Sequence, residues 1–191
     1  AVSRNAGNGI AGDVEHTSME EVKYQLETNF FGSVKVIQAC LPVFRKQGYG
    51  KIIATTSVAA VIPIPFQAFY SAGKAALRIF VEALAMEVKP FGIQCCTILP
   101  GDTKTEFTSA RKYTAASDNE NSTYYRRMKT AVEKMEHDEQ HDADEAEERH
   151  GDPCATVEAL REDRLDLAAL TGALQEAADA GNPREARSDR R

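Results

Sequence analysis

The stretch Lys51-Ile52-Ile53-Ala54-Thr55-Thr56-Ser57 decides the fold. It is short, apolar and β-branched, so it reads as a buried strand. Two periodic segments flank it. Upstream, Ser18-Met19-Glu20-Glu21 is a capping box. Val22, Leu26, Phe30, Val34 and Ile37 follow at spacings of three or four. That stripe predicts a long helix interrupted near Gly32, extended by Leu41 and Phe44 and stopped by Gly48 and Gly50. Downstream, a loop with Pro63 and Pro65 leads into a second helix, Gln67 to Val88, ended by Pro90 and Gly92. Gly92 to Leu99 is another buried strand, closed by Pro100-Gly101. Helix, strand, helix, strand, with apolar strands, implies a parallel α/β sheet. Val2 reads as the end of an earlier strand that enters the glycine loop Asn5-Ala6-Gly7-Asn8-Gly9. A polar loop is expected to about Asn121, then a helix from Thr123 to about Met135.

The composition changes abruptly along the 191 residues. All 14 aromatics lie at or before Tyr125, all ten lysines at or before Lys134 and all nine isoleucines at or before Ile98. Residues 138–191 hold 16 Asp/Glu against seven Arg, whereas residues 1–137 hold 16 Lys/Arg against 13 Asp/Glu. The first part can build a core; the second has little but Ala and Leu to bury. We therefore expect a globular part over residues 1–137 and an acidic, polar, helical or disordered tail over residues 138–191. Asp152-Pro153 predicts a helix start there, and Val157, Leu160, Leu167, Leu170 and Leu174 predict a stripe ending near Gly181. The joint loss of Lys, Ile and aromatics, with enrichment in Ala and Arg, reads as a shifted reading frame in GC-rich DNA.

Other classes fall away on simple grounds. No run of about 18 apolar residues exists, which excludes a spanning helix from the sequence. A net charge of -6 argues against nucleic acid as partner. The four cysteines, Cys40, Cys95, Cys96 and Cys154, show no framework spacing, so reduced thiols in a cytoplasmic setting are expected. Cys95 and Cys96 are expected to face the core. His137 and His141 stand four apart among acids and read as a solvated face, with no metal site.

Chemistry concentrates at Tyr70-Ser71-Ala72-Gly73-Lys74. A phenol and an ammonium four apart on a helix share a face. The ammonium stabilises the phenolate and lowers a pKa that starts near 10, giving a usable acid or base. Ser57 ends the preceding strand, and carboxyl ends of strands are where α/β sheets bind ligands. The spacing alone is unspecific, because Tyr125-Arg126-Arg127-Met128-Lys129 repeats it. Only the first pair lies between two buried strands.

Taken together, these pieces resemble the short-chain dehydrogenase/reductase family over about residues 2–137. Asn5-Ala6-Gly7 with Gly9 resembles the family's Asn-Asn-Ala-Gly element, with Arg4 as a departure. Asn29 matches the family's helix asparagine, and Ser57, Tyr70 and Lys74 match its active-site serine, tyrosine and lysine. Pro100-Gly101-Asp102-Thr103-Lys104-Thr105 resembles its Pro-Gly element. The resemblance implies a partial doubly wound, Rossmann-like parallel sheet lacking its first strands, and a cofactor, NAD or NADP. It implies that Tyr70 protonates a carbonyl, Lys74 lowers the tyrosine pKa and holds ribose hydroxyls, Ser57 polarises the carbonyl, and Asn29 breaks its helix and holds a relay water. Asn5, Ala6, Gly7, Pro100, Gly101, Thr103 and Thr105 would join Tyr70 and Lys74 around the cofactor. The substrate would be a small-molecule carbonyl or alcohol in an apolar pocket walled by Pro63 to Phe66 and Phe107; Glu87 to Gly92 loosely resembles the family's steroid and long-chain keto-lipid reductases, and the intact form would be a homo-oligomer. The family's Gly-rich phosphate loop does not occur in this sequence. Weak cofactor binding and no turnover are therefore expected of the chain by itself. A non-catalytic dimerisation or scaffolding module is the alternative; the joint presence of Ser57, Tyr70 and Lys74 argues against it.

Overall fold

The computed structural model describes residues 1–101 and 111–149, with side chains to His137. Thr103, Thr105, Phe107 and the helix expected near 153–180 lie outside the described residues.

Three parallel strands form the main sheet: β1 (Val2–Arg4), β3 (Gly50–Thr55) and β4 (Ile93–Ile98), in the order β1-β3-β4. Ile52 stands between Val2 and Cys95, and Ala54 between Arg4 and Thr97. These inward residues meet α2 (Gly32–Gln47) and α3 (Ala68–Val88), whose Ile37, Cys40, Phe44, Leu77, Val81 and Leu84 share one buried cluster with Ile52 and Ala54. The expected adjacent parallel strands and paired long helices are present.

The first helix is interrupted where the stripe predicted. α1 (Met19–Leu26) begins on the capping box, where the Ser18 hydroxyl accepts from the Glu21 N–H and the Glu21 carboxylate accepts from the Ser18 N–H. A five-residue π turn, Glu27–Phe31, then joins α1 to α2. Gly48, in the left-handed region at φ 77°, ends α2 with N–H bonds to the Phe44 and Arg45 carbonyls.

Two expectations need correction. β4 is buried on one side only. Ile93 is buried, while Gln94, Cys96 and Ile98 are exposed, so Cys96 does not face the core. The apolar run hides the alternation because β4 is an edge of the described sheet; central β3 buries both Ile52 and Ile53. The segment expected as polar loop also contributes structure. β2 (Ile10–Ala11) pairs in parallel with β5 (Lys112–Tyr113). Against this pair packs α4 (Tyr125–Arg149), which buries Met128 and Val132 against Ala11. It runs on through Asp138, across the change in composition.

Buried polar bonds hold this second unit together, and one backbone bond joins it to the segment before α3. The Ser117 hydroxyl donates to Asp13 Oδ2 at 2.6 Å, and the Thr114 hydroxyl donates to Ser117 Oγ at 2.8 Å. The Gly12 N–H donates to the Phe66 carbonyl at 2.8 Å. Arg111 Nη1 donates to Glu136 Oε1 at 3.1 Å, fixing α4 to the entry of β5.

The core cluster should carry stability in proportion to what it buries. Leu77, 1% exposed, is surrounded by it, so Leu77→Ala should cost about 2–5 kcal/mol in urea unfolding. Met86, on the same helix and 74% exposed, is the control: Met86→Lys should stay within about 0.5 kcal/mol.

Candidate active site

The candidate residues converge at the carboxyl ends of β1 and β3. Lys74 lies two turns into α3 and is 4% exposed; Tyr70, one turn earlier, is 7% exposed. The Lys74 ammonium donates to the Thr55 carbonyl, at the end of β3, at 3.1 Å. It also stands 5.7 Å from the centre of the Tyr70 ring. Burial pushes the Lys74 pKa down to about 8, and the nearby Arg4 guanidinium pushes the same way. At neutral pH the group remains mostly protonated, yet it is poised to titrate.

Asn29 arrives from the other side. It sits inside the π turn and is fully buried. Its Oδ1 accepts from the Asn8 N–H at 3.1 Å, and its Nδ2 donates to the Asn8 carbonyl at 2.9 Å. Gln25, one turn earlier, donates to the same carbonyl at 2.7 Å. These bonds clamp the loop after β1. Within that loop, Gly7 makes a close approach to two side chains. A Cβ there would lie 3.1 Å from Asn29 Oδ1 and 3.2 Å from Lys74 Nζ. The bare Cα leaves a polar cleft with an amide oxygen on one side and an ammonium on the other.

Ser57 caps a short 3₁₀ turn, Val58–Ala60, where its Oγ accepts from the Ala59 N–H at 3.1 Å. Among the described residues nothing takes the serine's own hydroxyl proton, so it is available to a ligand. The Val58 N–H donates to the Pro100 carbonyl at 2.9 Å, drawing the end of β4 alongside. Phe66 adopts φ 61°, rare for a side chain of its size. That backbone turns its carbonyl to Gly12, and its chain leads directly into α3.

The structure thus brings together Gly7, Asn29, Lys74 and Tyr70, with Ser57 and Pro100 on the neighbouring strand ends. Asn5 and Ala6 belong to the clamped loop, and Gly101 follows Pro100. The clamp itself, Asn8 with Gln25, was missed in the sequence reading. Asn8 follows Gly7 directly, so its place in the glycine loop was the signal. Arg4 appears as a local cation whose Nε is buried without a hydrogen-bond partner among the described residues.

The second Tyr-x-x-x-Lys pair is spent differently. Lys129 lies 5.5 Å from the Tyr125 ring, much like the first pair, but it donates to Asp118 at 2.9 Å and sits 3.9 Å over the Tyr113 ring. The Asp118 hydrogen bond pushes its pKa up. It serves as a tie between α4 and the loop below.

The family model for short chain dehydrogenase matches residues 1–116. The chain belongs to the short-chain dehydrogenase family. It is 50% identical over 107 residues to the 3-ketodihydrosphingosine reductase of Bacteroides thetaiotaomicron, covering 56% of this chain and 40% of that protein. Among solved structures, a short-chain dehydrogenase from Streptomyces avermitilis matches with TM-score 0.63 and 26% identity, covering 93% of this chain and 65% of the other. A gluconate 5-dehydrogenase from Burkholderia cenocepacia in complex with NADP and tartrate matches with TM-score 0.55 and 25% identity, covering 64% and 46%. The chain spans 33% to 50% of the length of the curated relatives it matches. The family and the NADP complex support a nicotinamide cofactor, NAD or NADP.

The buried ammonium has a direct test. With ¹³C-labelled lysine, one Cε resonance should titrate near pH 8, and Arg4→Gln should raise that value. Because folded Lys74 releases its proton before the unfolded chain does, its contribution makes folding more favourable as pH rises from 8 to 10.5. Cys95, raised to about 11 by burial, works in the opposite direction above pH 9. The difference between the wild-type chain and Lys74→Met therefore isolates the lysine. That difference should grow in the wild type's favour across the window.

Proposed function

We propose that the site reduces a carbonyl, or oxidises the corresponding alcohol, with NAD(P). The observation that carries this reading is the buried Lys74 ammonium, held at a strand end beside Tyr70 and across Gly7 from Asn29. Such a cation favours the phenolate, so the Tyr70 hydroxyl releases its proton more easily. In reduction, the Tyr70 O–H bond breaks and its proton goes to the carbonyl oxygen. The free Ser57 hydroxyl donates to that oxygen and orients it. The nicotinamide, when bound, supplies the hydride.

The cleft suits that cofactor's ribose. Lys74 donates one hydrogen bond to the Thr55 carbonyl and offers further N–H donors toward hydroxyl oxygens across the side-chain-free Cα of Gly7. Asn5, Ala6, Pro100 and Gly101 supply backbone around it; Thr103 and Thr105 are assigned to the amide end on the resemblance alone. Asn29, with its Oδ1 facing the same gap, would hold a water that returns a proton to Lys74 and then Tyr70. The exposed Ile79 and Met86 along α3 favour self-association of the intact protein.

Mutagenesis in the intact protein separates the roles. Tyr70→Phe should remove turnover by roughly 10²–10⁴-fold in an NADPH-coupled assay. Lys74→Ala should lose at least as much, and Ser57→Ala should lower kcat with little change in cofactor KM. Tyr125→Phe should leave turnover within about twofold; an effect matching that of Tyr70→Phe would overturn the choice of pair.

A second measurement concerns the 191 residues alone. A dinucleotide is held chiefly by its pyrophosphate on a Gly-rich loop at a helix N-terminus. Without such a loop, the nicotinamide-end contacts must offset the whole cost of association. Calorimetric titration of this chain with NADPH or NADH should show no micromolar binding.

A further inference from the structure

One face of α4 is unused by this chemistry. Arg127, Ala131 and Lys134 follow at spacings of four and three, so they lie along one stripe, with Arg126 beside it. The opposite stripe, Met128 and Val132, is buried. Facing the cationic stripe is a cavity of about 430 Å³, walled by Val58, Ile62, Ile64 and Pro65 from the loop and by Met135 from α4. A second cavity, about 490 Å³, shares Pro65, Ala131 and Lys134 with the first and adds Arg126 and Arg127. The two therefore form one groove, apolar at one end and basic at the other.

Neither cavity has an Asp or Glu in its wall. Of the neighbouring acids, Glu136 is engaged by Arg111 and Asp118 by Lys129, while Glu133 stands exposed beside Lys134, outside both walls. Among the described residues, Arg126, Arg127 and Lys134 have no carboxylate partner. The basic end spans about 12 Å of helix at 1.5 Å per residue. The apolar end begins at Val58, the residue directly after Ser57.

We propose that this groove takes the remote part of the substrate. The reacting carbonyl compound carries an apolar chain, which lies along Val58, Ile62, Ile64 and Met135, and an anionic end group, which meets Arg126, Arg127 and Lys134. The apolar wall contributes affinity through removal of surface from water. The cations select an anionic end over a neutral or cationic one, and guanidinium groups pair well with carboxylate or phosphate oxygens.

The inference rests on the proposed reading only for placing the carbonyl at Ser57; its test needs no turnover. The 191-residue chain would be titrated, in calorimetry without cofactor, with decanoate, decyl phosphate, decanol and decylammonium below their aggregation concentrations. One anion or both should bind about tenfold tighter than decanol, as several partly exposed charge pairs allow. The tighter anion identifies the end group. Decylammonium should bind more weakly than decanol. The triple variant Arg126→Gln, Arg127→Gln, Lys134→Gln should lose the anion advantage while keeping decanol within about twofold. Ile64→Asn should weaken all four ligands. Equal affinities, tighter ammonium, or an anion preference that survives the triple variant would overturn the proposal. If Tyr70→Phe in the intact protein leaves turnover unchanged, the catalytic reading fails while the groove's preference stands. If anions gain nothing while Tyr70→Phe abolishes turnover, the groove proposal alone fails.

Discussion

An ammonium removed from water must find acceptors or lose its charge, and the site is organised around that demand. Lys74 meets it partly with the Thr55 carbonyl and partly by a pKa lowered to about 8. The geometry then constrains three separate elements. β3 must end where one carbonyl is free to point sideways rather than continue the ladder. The loop after β1 must pass close enough that a side chain at residue 7 would press on Asn29 and Lys74. The helix opposite must bring Asn29 against that loop without filling the gap.

Comparison of the two tyrosine–lysine pairs separates local geometry from environment. Both place an ammonium between 5 and 6 Å from a phenol ring, at 5.7 and 5.5 Å. Lys74 is buried, with a carbonyl acceptor; Lys129 is more open and has a carboxylate partner. Their pKa values consequently move in opposite directions. The helix supplies the spacing in both cases, but the strand end beneath α3 supplies the chemistry in only one.

That contrast explains what could be read from the residues alone. Apolar runs and stripes made β3, β4, α2 and α3 visible, because their period reports burial directly. The capping box and Gly32 similarly marked the ends of α1 and the break after it. β2 and β5 carried no such signal. Each is two residues long, and they pair across a hundred positions of sequence. The Asp13–Ser117 bond joins residues equally far apart. The exposed side of β4 was concealed because Cys96 and Ile98 are apolar, although they alternate outward at a sheet edge. Tyr70, Lys74, Ser57 and Asn29 stood out through order and spacing, whereas Asn8 and Gln25 act through backbone bonds that no side-chain pattern announces.

The π turn at Glu27–Phe31 has a consequence for insertions and deletions. It accommodates one residue more than an α-helical turn. Deleting any one of its five residues would let α1 and α2 merge into a continuous helix, with unchanged helical content. Because the wide turn absorbs the extra residue, the helix faces on either side would stay nearly in register after the deletion. What would go is the local widening that sets Asn29 against Asn8. The turn thus gives Asn29 a position of its own while the stripe that contains Ile37 and Phe44 keeps its face to the sheet.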